Sequence, residues 1–321
     1  MVTETPTFAA DHLLGDGFQV APLGPATLIR STVAPAPTRG VLLHVHGYND
    51  YFFQRHLAEA FTAAGYLFYA VDLRAAGRSL LPEQVPHFVT DLRQQAADIS
   101  AASSYLRTAH PDLPLIVHAH STGGLTASLW AHAHRHAAGP LRGPDALLLN
   151  SPFLEQRGPR VARAVTSPVL TRMGPMRPLT ELSHRPSYYV QGLLSPAGGG
   201  WAFDHSLKRP EGQPIRAGWL VAVTRAQERV SRGLALACPV LLAAAAESSK
   251  EGPDNPLVHT TDSVLDVRQI VSRAPLLSRH TEVLRITDGV HDLCLSGLPA
   301  RTVYLEAVLA WLDAQPQVTG H

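Results

Sequence analysis

Short runs rich in Val, Leu, Ile and Ala recur along these 321 residues at intervals too long for hairpins, with stretches of helical period between them. That alternation is the strongest constraint on the fold, because parallel strands need helical crossovers and hide both faces from water. Phe18 to Leu23 and Ala26 to Val33, separated by Gly24-Pro25, read as an opening antiparallel hairpin. Six strands of the buried, two-sided kind follow: Val41 to His46, Tyr66 to Asp72, Leu115 to His120, Ala146 to Asn150, Val240 to Ala245 and Glu282 to Ile286. Leu92, Ala96, Ile99, Ser103 and Leu106 share one helical face, and Val303, Val308, Leu309 and Leu312 are assigned the same role in a closing helix. The pattern predicts an α/β protein with a mostly parallel central sheet flanked by helices.

The alternation fails between Ser151 and Arg232, where roughly 80 residues separate two strands that one crossover would join in far fewer. Nine prolines, the run Gly198-Gly199-Gly200 and apolar clusters at Tyr188-Tyr189, Trp201 and Trp219-Leu220-Val221 fall in this stretch. It reads as an inserted helical cap, residues 151–232, on a core made of residues 1–150 and 233–321.

Composition narrows the function. Lys and Arg number 27 against 26 Asp and Glu, a net charge of +1 that offers no basic surface for a phosphate backbone, so nucleic acid is excluded as the expected partner. Only Lys208 and Lys250 are lysines. Cys238 and Cys294 lack the pairing of a zinc or redox motif and suit a reducing cytoplasm. No Lys or Arg precedes Arg30, so no signal peptide is expected. The longest apolar run, Leu234 to Ala246, contains Pro239 and falls short of the roughly 20 residues that cross a bilayer, so no integral membrane segment is expected.

The most informative segment is Leu115-Ile116-Val117-His118-Ala119-His120-Ser121-Thr122-Gly123-Gly124, continuing into Leu125-Thr126-Ala127-Ser128-Leu129-Trp130. A strand runs into a turn of small residues and then a helix. A serine at that turn is strained and exposes its hydroxyl, and the N–H of Thr122 points to where an oxyanion forms. Serine needs a base, and the base needs an orienting carboxylate. Asp288-Gly289-Val290-His291-Asp292 follows the last strand as a Gly-containing loop and offers one of the chain's 17 histidines.

Strand, turn, serine and helix resemble the nucleophile elbow of the α/β-hydrolase superfamily, with Ala119 where the usual pattern has Gly. The resemblance implies the chain order serine, acid, histidine, and so Ser121 as nucleophile and His291 as base. It also implies an acid after the strand ending near Ala246. In monoacylglycerol lipase-like hydrolases the acid begins an Asp-x-x-x-Asp stretch before a helix, which matches Asp262 and Asp266 and gives the role to Asp262; Asp254 and Asp266 are the alternatives. His44-Val45-His46-Gly47-Tyr48 resembles the family's His-Gly strand end and makes the N–H of Tyr48 the second oxyanion donor. Asp72-Leu73-Arg74-Ala75-Ala76-Gly77-Arg78-Ser79 resembles a structural turn of the family. The His-Gly strand end, the His-Ser-x-Gly-Gly elbow and the cap look most like the serine aminopeptidase, monoacylglycerol lipase and lysophospholipase group.

The expected activity is hydrolysis of a small acyl ester through an acyl-enzyme, with no metal or organic cofactor. Lipid-like or medium-chain acyl groups are suggested by the cap's aromatics. An aminopeptidase or thioesterase on the same triad is the alternative, the former needing a cap carboxylate such as Asp204 or Glu211 for the substrate amine. A non-catalytic ligand-binding protein of the same fold predicts a broken triad. His132, His134 and His136 alternate through the helix after the elbow and read as a His-rich face, not a metal site, while Cys294 reads as a buried hydrophobe. Oligomeric state is not legible in the sequence.

Overall fold

The computed structural model of the chain describes residues 6–158 and 170–319. Nine strands form one sheet: β1 (Ala9–Ala10), β2 (Phe18–Leu23), β3 (Ala26–Ser31), β4 (Gly40–Val45), β5 (Tyr66–Asp72), β6 (Leu115–His120), β7 (Ala146–Asn150), β10 (Val240–Ala245) and β11 (Thr281–Ile286). A separate antiparallel pair, β8 (Glu181–Ser183) and β9 (Ile215–Arg216), lies in the segment between β7 and β10. The order in the large sheet is β1-β2-β3-β5-β4-β6-β7-β10-β11. The first three strands are antiparallel additions and the remaining six run parallel.

Side chains alternate across each central strand, and the two faces build two cores. Val41, Leu43, Val45, Val117, Leu147 and Leu149 face helices α2 (Leu92–Ala109), α3 (Ser121–Ala133) and α5 (Ala217–Ser231) through Ile99, Leu125, Trp130 and Val223. Leu42, Phe68, Ala70, Ile116 and Leu148 face α1 (Arg55–Ala63) and α8 (Leu298–Asp313) through Leu57, Phe61, Tyr304 and Leu312. Between α3 and α5 lies α4 (Tyr188–Leu194); α6 (Val267–Ser272) and α7 (Ala274–Leu277) follow β10. Trp219, Ala222 and Val230 of α5 belong to the same buried cluster as the strands.

Two sequence expectations need correction. The last strand is not two-sided: β11 is the sheet edge, and Val283 is 41% exposed. Val303 does not share the buried face of α8, because five residues separate it from Val308 and five steps of a helix turn about 140° past a full revolution. It is 54% exposed, and Ala300, Tyr304, Val308, Trp311 and Leu312 form the buried face.

The turn after β5 is held by charge. Asp72 accepts hydrogen bonds from the backbone N–H groups of Phe52 and Arg78, at 2.8 and 2.9 Å, and Arg78 bridges Asp72 and Asp11 at 2.8 and 2.6 Å with all three side chains buried. Gly77 has φ +49, and a Cβ there would lie 2.3 Å from Asp72 Oδ2. Only glycine lets this turn close onto the carboxylate.

Histidines lie beneath the site as uncharged packing groups. His44 and His118 face each other across β4 and β6 with their Nδ1 atoms 2.8 Å apart, and His118 Nε2 lies 2.8 Å from the Tyr304 hydroxyl. One proton serves the Nδ1 pair, so the ring that accepts it is uncharged. Burial pushes His118 down to about 4 and His44 well below its ordinary value, with His118 adding to the effect at His44. His87 is pushed down to about 3 by burial and by His46 beside it. In the unfolded chain these rings protonate near pH 6.5. Between that pH and the folded values the unfolded state binds more protons, so stability is lost as pH falls. His120, raised, works in the opposite direction. The expected result is a Tm that falls steadily from pH 6.5 to 4, with proton uptake on unfolding at pH 5. A flat Tm from pH 7 to 5 would contradict it.

Candidate active site

The parallel strands end along one edge of the sheet, and loops leaving β4, β6, β10 and β11 bring the candidate residues together there. At the end of β6 the chain enters α3 without a spacer, and Ser121 is forced to φ +51. A non-glycine residue in this region stores strain, and the surroundings hold it in place. The close packing is made by glycines. A Cβ on Gly123 would lie 2.2 Å from the His46 carbonyl oxygen, and one on Gly47 would lie 3.0 Å from Ser121 Cβ. Ala119, at the position where glycine is usual, is fully buried in the core.

Ser121 Oγ lies 3.0 Å from His291 Nε2, and His291 Nδ1 lies 2.9 Å from Asp262 Oδ2. Asp262 comes from the loop between β10 and α6 and is fully buried; its Oδ1 accepts from the N–H groups of Val264 and Leu265 at 2.9 and 2.8 Å. With the carboxylate accepting from Nδ1–H, the Nε2 lone pair faces the serine hydroxyl. Asp254 is exposed and lies outside the cleft. Asp266 instead caps α6, accepting from the N–H of Arg268 at 3.0 Å.

A cleft of about 680 Å³ opens over this line and is bordered by Tyr48, Ser121, Thr122, Tyr189, Trp219, Leu220, Val264 and His291. Both expected oxyanion donors border it, and Thr122 is in the first turn of α3, where N–H groups have no partner within the helix. Of the aromatic clusters singled out in the sequence, Tyr189 and Trp219-Leu220 reach the cleft. Trp201 does not: it stacks on His56 at 4.7 Å and donates to the Leu295 carbonyl at 2.9 Å. Nor do Asp204 and Glu211 border it; the first bonds Ser206 and the second pairs with Arg209. Glu251, after β10, is the carboxylate on the rim, accepting from the N–H of Tyr189 at 3.3 Å.

A buried polar cluster beside the triad was missed by sequence reasoning. Lys208 Nζ lies 2.8 Å from Asp50 Oδ1, with the two side chains 2% and 1% exposed. Asp50 Oδ2 is 3.4 Å from His120 Nδ1, and the His120 ring is 4.9 Å from that of His291. Asp292 accepts from Asn150 Nδ2 at 2.7 Å and from Gln54 Nε2 at 3.2 Å. Burial opposes charge on His120, but Asp292 and Asp50 outweigh it and hold the ring above its ordinary value. Burial likewise opposes charge on Asp50, and Lys208 and His120 hold its carboxyl far below the usual range. The one available signal was Lys208, one of two lysines in the chain, five residues from the nearest Trp or Phe of the insert.

The other histidine expectation needs amending. Helix α3 ends at Ala133, so His134 caps it and His136 lies beyond it. His132 is engaged by Arg229 and by the Leu234 carbonyl. Cys294 is buried, with Asn150 Nδ2 3.7 Å from its Sγ, and burial pushes its thiol well above the ordinary value, as a packing group requires.

This sheet order and this strand-turn-helix elbow are those of the α/β-hydrolase fold. Residues 36–195 match the model of the serine aminopeptidase family (Serine aminopeptidase, S33). A monoacylglycerol lipase of Mycolicibacterium smegmatis is 39% identical over 87 residues, which are 27% of this chain and 30% of that lipase's length. A soluble variant of monoglyceride lipase from Saccharomyces cerevisiae, solved with a substrate analogue, superposes with a TM-score of 0.69 at 15% identity, covering 98% of this chain and 96% of that one. The monoacylglycerol lipase of Paleococcus ferrophilus gives 0.62 at 17% identity, over 90% and 99%. The chain has the α/β-hydrolase fold, and its residues 36–195 resemble the serine aminopeptidase family. Among the described residues no helix is long and apolar enough to cross a membrane.

Proposed function

We propose that the protein is a serine hydrolase that cleaves carboxylic esters of medium-chain or lipid-like acyl groups, monoacylglycerols and lysophospholipids among them. The observation that carries the reading is the unbroken line Ser121 Oγ, His291 Nε2, His291 Nδ1, Asp262 Oδ2, with contacts of 3.0 and 2.9 Å, at the floor of a largely apolar cleft. His291 takes the serine proton as Ser121 attacks the acyl carbonyl. The N–H groups of Tyr48 and Thr122 receive the oxyanion, each worth about 3 kcal/mol in the transition state. His291 then protonates the leaving alcohol, and water repeats the cycle on the acyl-enzyme. Residues 151–232 act as the cap that shapes the acyl site, with α5 rooting it in the core. Two free cysteines fit a reducing, cytoplasmic setting.

Hydrolysis of p-nitrophenyl esters from acetate to palmitate tests the reading. Turnover should peak at a medium chain length, because a cleft of about 680 Å³ is mid-range among small-molecule sites. Glu251 on the rim favours a second reading, an aminopeptidase whose substrate amine it receives. Turnover of aminoacyl p-nitroanilides, lost in Glu251→Gln, with no turnover of any ester would replace the first reading by the second.

A further inference from the structure

Four consecutive residues of the loop after β4 each bond to one short stretch of the insert, residues 204–214. The Tyr48 hydroxyl donates to the Pro214 carbonyl at 2.9 Å. Asn49 makes a reciprocal pair with Arg209, its Nδ2 donating to the Arg209 carbonyl and its Oδ1 accepting from the Arg209 N–H, both at 2.9 Å. Asp50 holds Lys208 at 2.8 Å, and the Tyr51 hydroxyl accepts from the N–H of Asp204 at 2.8 Å. Asn49, Asp50 and Lys208 are buried, and Asn49 sits at φ +54, a conformation that an asparagine adopts at a cost unless it is held.

The loop so held is the one that carries the Tyr48 N–H. We infer that the 204–214 stretch is a strap that sets the second oxyanion donor, with Lys208 and Asn49 as its positioning residues; this rests on the ester hydrolase reading above. The direction of the N–H of residue 48 follows from ψ of Gly47 and φ of Tyr48, the two angles flanking that peptide plane. Gly47 leaves those angles soft; His46 Nδ1, 2.8 Å from the Gly47 carbonyl oxygen, holds the near side of that peptide, and the Asn49 and Asp50 anchors hold the chain on its far side. Asn49 and Lys208 also border the cleft, but a displaced donor acts mainly on the transition state, whose oxyanion it receives, and little on bound substrate. Residues 204–214 are therefore tied to the core by these bonds.

The test compares wild type with Asn49→Gly, which keeps the left-handed backbone but removes both side-chain bonds, with Lys208→Met, and with Lys208→Arg as the conservative variant. Two quantities are read on a p-nitrophenyl ester: kcat with KM, and the affinity of a trifluoromethyl ketone, whose serine adduct places an oxyanion in the same site. Asn49→Gly and Lys208→Met should lower kcat by about 10- to 100-fold, weaken the ketone by the same factor and leave KM within about twofold. Lys208→Arg should recover part of both, and Glu211→Ala, on the outer side of the strap, should change neither. Lys208→Met leaves a buried carboxylate without its cation, so Asn49→Gly, which strands no charge, decides the matter if the lysine variant does not fold. A changed KM with unchanged ketone affinity would overturn the inference and make the strap a wall of the acyl site. A wild-type protein inert to every ester and to the ketone would instead remove the ester hydrolase reading on which the inference rests.

Discussion

Replacing Ser121 by alanine is expected to reduce ester turnover by on the order of a million-fold, the loss that follows when the nucleophile of such a triad is removed. The cleft and both proposed oxyanion donors remain, so binding of a non-reactive ester analogue should be unchanged. The elbow adds a stability signature. Ser121 holds φ +51, a region that costs a residue with a Cβ about 1 kcal/mol or more and costs glycine nothing. Ser121→Gly should therefore be equally inactive yet melt at a higher temperature than wild type, whereas Ser121→Ala keeps the strain and melts near it. The two variants separate a serine held for chemistry from one retained as a helix cap, because a capping role predicts a loss of stability in the alanine variant. Rates on the best p-nitrophenyl ester and thermal melts supply both readouts.

Asp262→Asn is expected to lower kcat by about 10⁴-fold while the fold survives. An asparagine oxygen still accepts from the N–H groups of Val264 and Leu265, so the loop keeps its shape. What changes is the partner of His291. An amide that offers its NH₂ to Nδ1 favours the tautomer with the proton on Nε2, and that proton then faces the serine hydroxyl and blocks its removal. Activity should partly return at high pH, where the serine proton leaves more readily. Asp254→Asn and Asp266→Asn should stay within a few-fold of wild type, the first because the side chain is exposed, the second because asparagine also caps a helix well. A collapse of activity in Asp254→Asn with Asp262→Asn intact would assign the acid to the other loop.

Much of this was readable in the chain because it is local. The spans of β2, β5, β6, β7 and β10 coincide with apolar runs closed by turn residues, and the elbow is a continuous segment whose turn requires small residues on both sides of Ser121. His291 is selected by its place after the last strand. The misreadings have a common cause, which is that a linear pattern does not say what lies beside it. β11 carries Glu282 and Arg285 among its six residues, a sign of exposure masked by its apolar Val283, Leu284 and Ile286, and its position at the sheet edge is set by chain connectivity. The run of alternate histidines looked helical as far as His136, yet α3 ends at Ala133. The Lys208 to Asp50 pair joins residues 158 apart, and neither neighbourhood hints at the other until the insert folds back over the loop after β4. Asn150 and Asp292, also buried partners, are 142 apart. Long-range polar pairs of this kind cost desolvation that only good geometry repays, and sequence spacing carries no record of that geometry.

The central claim is that Ser121 is a nucleophile activated by His291. The most direct measurement is intact-protein and peptide mass spectrometry after treatment with a fluorophosphonate, which reacts with an activated serine and leaves ordinary ones alone. The account predicts one adduct per chain, carried by the peptide containing Ser121, formed rapidly in wild type and at least a thousand-fold more slowly in His291→Ala, by order of magnitude from the loss of a triad base. A chain that takes up no label, or that carries it on another residue at the same rate with and without His291, would contradict it.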